Sequence, residues 1–130
     1  MKIKYLLYLS MILTFCSCDQ THSLYFINKT NCMSKVKIVL DNKCNSYYLK
    51  KLAKGDSIIF NLKQNDSADI YFHIGNWSDE EIGRLVNCVQ SIEVECGRIK
   101  KKYNSKSSLT RLFENKIDGF NNSNIVIEIE

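Results

Sequence analysis

Cysteine and histidine are the side chains best suited to metal binding or nucleophilic attack, and the chain carries six of the first and two of the second. Zinc sites legible in a sequence rest on Cys-x-x-Cys clusters, and Cys16, Cys18, Cys32, Cys44, Cys88 and Cys96 form none. His22 precedes the first apolar alternation, and His73 has no evident partner for Cys-His catalysis. Asp79, Glu80 and Glu81 are the densest acidic group and a candidate carboxylate pair for hydrolysis. Three acids in the first turn of a predicted helix are, however, explained by its dipole. No Gly-rich phosphate loop, Gly-x-Ser-x-Gly elbow or His-Glu-x-x-His run is present. The sequence therefore predicts no metal, no cofactor and no catalytic residue, and the chain does not read as an enzyme.

Two other groups are suited to recognition. Between Gly97 and Leu112 lie Arg98, Lys100, Lys101, Lys102, Lys106 and Arg111, with no acid among them. Such a surface can meet lipid headgroups, a phosphorylated glycan or an acidic protein. A two-residue turn at Cys96-Gly97 would set Glu95 opposite Arg98 and Glu93 opposite Lys100, which is ordinary cross-strand pairing. That leaves Lys101, Lys102, Lys106 and Arg111 as a candidate basic patch. Tyr71 and His73 alternate with Ile70 and Phe72, and Trp77 follows them. These three aromatic groups either serve sugar or protein recognition or lie beneath the next helix.

The elements that must position these residues alternate with period two. Val36, Ile38 and Leu40 share one face, as do Ile58, Phe60 and Leu62, then Ile70, Phe72 and Ile74. Ile92 with Val94, and Ile125 with Ile127 and Ile129, continue the pattern. Further strands are expected over 24–28, 47–51 and 98–103, with turns at Asp41-Asn42, Lys54-Gly55-Asp56, Gln64-Asn65-Asp66 and Cys96-Gly97. Ser78 and Glu81 have the spacing of a capping box ahead of Ile82, Leu85 and Val86, so a helix starts there. A second helix or helical crossover is expected over 108–117. Short strands at this spacing predict an all-β fold, a small antiparallel β-sandwich or barrel of immunoglobulin-like or transthyretin-like kind, with one or two short helices. With 130 residues, 45% of them hydrophobic, one domain is the economical reading.

The first residues read as an export signal, with Lys2 and Lys4 ahead of an uncharged apolar run from Tyr5 to Phe15. Eleven or so apolar residues are too few to span a bilayer, which takes about 20. Phe15-Cys16-Ser17-Cys18 then resembles the lipobox of bacterial lipoproteins, with Ser17 in the small position and Cys18 as lipid acceptor. That resemblance implies a signal peptide over 1–17, a lipid bilayer as partner through the Cys18 anchor, and a place in the bacterial cell envelope, at the outer membrane. A tether over 18–23 would hold a domain over 24–130 within about 20 Å of the membrane. Without the two leader lysines the balance falls to 16 basic against 14 acidic side chains, which removes the main support for nucleic-acid binding.

Lipidation of Cys18 leaves four cysteines, an even number suited to an oxidising compartment. Cys32 and Cys44 flank one predicted strand, and Cys88 and Cys96 another; bridged Cα atoms lie within about 7 Å, far less than a strand's length. Bridges therefore cross between the strands. An antiparallel pair gives Cys32 with Cys96 and Cys44 with Cys88, a parallel pair gives the other crossing, and short connections favour the former. Asn28, Asn65, Asn76 and Asn121 each begin an Asn-x-Ser/Thr sequon. The expected function is a binding or structural module of the envelope with a protein or glycan partner. An inhibitor or immunity protein that blocks a hydrolase is the alternative.

Overall fold

A computed structural model of the chain describes residues 21–119 and 122–130; the leader, Cys18 and Asn121 lie outside the described residues. The strands are β1 (Thr21–Asn28), β2 (Ser34–Leu40), β3 (Ser57–Leu62), β4 (Ser67–Ile74), β5 (Val89–Cys96), β6 (Ile99–Tyr103), β7 (Ile117–Asp118) and β8 (Asn124–Ile129). The helices are α1 (Tyr47–Leu52), α2 (Asp79–Cys88) and α3 (Lys106–Glu114). Two four-stranded sheets have the orders β4-β1-β8-β7 and β3-β2-β5-β6. All pairings are antiparallel except that of β1 with β8.

The alternating apolar residues of both sheets meet in one core. Leu24, Phe26, Ile70, Ile125 and Ile127 come from the first sheet, and Val36, Ile38, Ile58, Ile92 and Val94 from the second. Leu85 and Val86 of α2 and Leu109 and Phe113 of α3 complete it, and both helices are capped by a serine, Ser78 and Ser105. The antiparallel β2–β5 register sets Ser34 opposite Cys96 and Leu40 opposite Val89. The flanking cysteines therefore meet as Cys32–Cys96 and Cys44–Cys88, with Cα atoms 6.1 and 4.3 Å apart.

Four expectations need correction. Residues 47–51 are helical, not extended: Ser46 Oγ accepts from the Leu49 amide and α1 buries Leu49 alone, so two β-prone tyrosines are overridden by a cap and tertiary packing. Three helices stand among the described residues where one or two were expected. The first strand starts at Thr21, so His22 and Ser23 are buried in the sheet instead of lying in a tether. The β5–β6 turn is Gly97-Arg98, with Gly97 at φ +59°, so Glu93 faces Lys102 and Glu95 faces Lys100. Moving the turn by one residue moves the partner by two, which preserves the face and hence the charge pairing.

Candidate functional site

A groove of about 690 Å³ opens between α1, α2 and the end of β4. Tyr47 and Tyr48 come from α1, Phe72 and His73 from β4, Glu81 and Arg84 from α2, and Lys106 from the start of α3. The Cys44–Cys88 bridge ties the chain entering α1 to the last residue of α2. Tyr47 is 67% exposed and meets Tyr48 edge to face at 5.6 Å between ring centroids. Asn42, Asn45, Ser46 and Asn87 add amides and a hydroxyl to the lining, and Lys106 Nζ donates to Asn87 Oδ1 at 2.8 Å.

His73 reaches this groove through an irregularity in the sheet. The pairing runs Ser23 with Tyr71 and then Thr21 with Ile74, so Phe72 and His73 together oppose His22. Such a bulge interrupts strict alternation, and both of its side chains come to the groove. His22 itself is fully buried behind them, 5.5 Å from Phe72, 4.7 Å from His73 and 4.6 Å from Trp77, ring centroid to centroid. Its Nδ1 donates to the His73 carbonyl oxygen at 2.6 Å. Burial lowers the His22 pKa from the usual imidazole value, and the bond to His73 works partly against that. Neutral with the proton on Nδ1, the ring presents a lone pair at Nε2, which has no hydrogen-bond partner among the described residues.

Glu81 faces that lone pair. The Ser78 side chain accepts from the Glu81 amide at 3.3 Å, but the Ser78 amide donates to Asn76 O, so the expected reciprocal capping box does not close. The carboxylate instead accepts from Arg84 at 2.7 Å through Oε1 and lies 3.8 Å from His22 Nε2 through Oε2. Arg84 also bonds Glu80 at 2.7 Å, and Asp79 and Glu80 stand in the first turn where the helix dipole favours them.

The expected aromatic group is divided. Tyr71 lies on the opposite face of the sheet, its hydroxyl pKa raised by a hydrogen bond with Asp69. Trp77 is in the core, 3% exposed, with Nε1 donating to Ser23 O at 3.0 Å. Only His73 of the three lines the groove. Trp77→Phe would remove this buried bond and leave a small void beside the ring, so a loss of about 1–2 kcal/mol is expected in urea denaturation. An unchanged midpoint would mean that this bond contributes nothing.

The basic residues are divided as well. Lys102 and Lys100 bracket Glu93 at 3.2 and 3.4 Å, and Lys102 first, then Lys100, hold its carboxyl below the ordinary carboxylate range. Lys101 pairs with Val94 and shares the other face of the strand. Lys106 belongs to the groove, and Arg111 stands exposed in α3. What sequence reading missed is the pair His22 and Glu81, and α1 with its two tyrosines. A polar residue inside an apolar alternation, at His22, was the signal available.

No helix among the described residues is long and apolar enough to cross a membrane. No family model, curated protein or solved structure matches the chain.

Proposed function

We propose that the chain is a lipid-anchored envelope protein that binds a glycan in the groove between α1, α2 and β4. The observation that carries this reading is the exposed Tyr47 ring, held edge to face against Tyr48 and surrounded by Asn42, Asn45, Ser46 and Asn87. Flat aromatic faces take the C–H side of a sugar ring, while amides and hydroxyls pair with its hydroxyl groups. A short helix tied down by a disulfide and a Ser46 cap keeps the two rings in place, which lowers the ordering cost of binding. The anchor is Cys18, which precedes β1 by so few residues that the domain would lie against the bilayer. Of the two sandwich classes we favour the transthyretin-like one. An immunoglobulin sandwich puts its first two strands in the same sheet, and here β1 and β2 are in different sheets. Neither class has functional force.

Intact mass of the protein extracted from its membrane tests the anchor, with a diacyl or triacyl group on Cys18 as the expected result and an unmodified chain as the contrary one. Binding is tested by titrating a defined digest of envelope polysaccharide and following amide chemical shifts. Saturable shifts at α1 and α2, weakened at least tenfold by Tyr47→Ala, are expected. Binding that is indifferent to Tyr47→Ala and Tyr48→Ala would overturn the groove as the site. A one-to-one complex with a hydrolase and no glycan binding would favour the inhibitor reading instead.

A further inference from the structure

His22, His73 and Glu81 each offer one ligand atom, and these atoms all lie within 4.8 Å of one another. We infer that the three side chains form a site for a divalent transition-metal ion of the zinc class, set at the inner wall of the groove. Three observations converge on it. The His22 ring is completely buried, yet its Nε2 lacks any hydrogen-bond partner among the described residues and points at Glu81. A buried nitrogen without a partner costs free energy that a bound cation would recover. The other nitrogen, Nδ1, gives its proton to the His73 carbonyl, which fixes the ring's orientation and leaves the lone pair on Nε2. Metal-bound histidines are oriented by just this kind of outer hydrogen bond.

Glu81 is held in the complementary way. Arg84 occupies Oε1 and leaves Oε2 directed at His22, 3.8 Å from Nε2. Tetrahedral zinc with bonds near 2.0–2.1 Å spaces its ligand atoms about 3.3 Å apart, so a small contraction around the ion suffices. His73 is exposed and follows the bulge, so it is the member with room to adjust. Two imidazoles and one carboxylate suit zinc, copper or nickel better than magnesium or calcium, which take mostly oxygen ligands. The Arg84 charge opposes a cation, and Glu80 at 2.7 Å offsets it. With His22 behind and His73 and Glu81 lining the groove, the fourth position opens toward the groove and is left to water. None of the described cysteines is involved, because Cys32, Cys44, Cys88 and Cys96 are all bridged.

The test uses the untagged full chain purified from membranes, stripped with a chelator and titrated with ZnCl2. Expected are one zinc per chain by elemental analysis, a shift of the His22 Nε2 resonance in long-range 15N spectra, and a higher thermal midpoint with excess zinc. His73→Ala and Glu81→Gln, both outside the core, should each weaken uptake at least tenfold and abolish the midpoint shift. No zinc uptake by the natural chain would overturn the site. So would uptake that is unchanged in His73→Ala and Glu81→Gln, because the ion would then be held elsewhere. Zinc titration of Tyr47→Ala separates this site from the sugar groove: the variant that loses glycan binding should take up zinc like the natural chain, because Tyr47 is not among the three ligands.

Discussion

Replacing Cys44 and Cys88 together by alanine is expected to lower the unfolding free energy by about 4 kcal/mol and to loosen the groove, while the Cys32→Ala, Cys96→Ala pair costs a similar amount and leaves the groove shape intact. The magnitudes follow from loop closure: the bridges span 44 and 64 residues, and the chain-entropy relation gives about 4 kcal/mol for either. A domain of this size has only about 5–15 kcal/mol in total, so losing both bridges, about 8 kcal/mol, removes about half of it or more. The difference between the pairs is positional. Cys44 leads into α1 and Cys88 ends α2, so their bond joins two walls of the groove. Cys32–Cys96 instead ties the loop after β1 to the far end of β5. Urea midpoints and amide shifts of Tyr47 and Tyr48 read the two effects separately. Equal perturbation of α1 by both pairs, or a loss under 1 kcal/mol, would defeat this assignment.

Much of the scaffold could be read in advance because the physics that sets it is local. Alternation in β2, β3, β5 and β8 needs only one buried face, and the same alternation fixes a disulfide pattern once two strands are taken as antiparallel. The β5–β6 register slipped by two residues, which changed each acid's partner but left acid facing base on the same face, since the error preserved parity. The site was far less legible, for a reason visible in particular residues. His73 reaches the groove through a bulge, and no period-two reading anticipates an extra residue. Tyr47 and Tyr48 favour strands by propensity, and their helix exists because Ser46 caps it and Leu49 is buried. Trp77 returns to the core after Gly75, whose φ of +155° turns the chain out of β4. Glu81 had the spacing of a cap and performs half of it. Binding sites gather where the regular rules are broken, so a sequence whose strands are plain can still conceal its site.

The inward row of β1 shows the same principle at its other end, and from it comes the second large effect. His22, Leu24, Phe26 and Asn28 all face the core, an apolar centre between two polar ends. Asn28 is fully buried, and its Nδ2 donates to the carbonyl oxygens of Cys32, Leu62 and Lys63 at 2.7, 2.9 and 3.1 Å. Its Oδ1 accepts from the Thr30 amide at 2.9 Å and from the Thr30 hydroxyl. One side chain thus ties the loop after β1 to the end of β3, across the two sheets. Asn28→Ala removes every one of these bonds, the one to Leu62 O fully buried, and leaves a void in their place, for an expected loss of about 3 kcal/mol. Asn28→Asp keeps the bonds to Thr30 but turns an acceptor toward three carbonyl oxygens, so its loss should be larger at neutral pH and smaller once the carboxyl is protonated. Urea denaturation of both variants at two pH values checks the order. An Asp variant as stable as the Ala variant at neutral pH would show that the donors of Nδ2 are not what holds the loop. The same bonds make the Asn28 sequon unusable in the folded domain: the nitrogen that would carry a sugar is already committed to three carbonyls, whereas Asn65 and Asn76 are exposed.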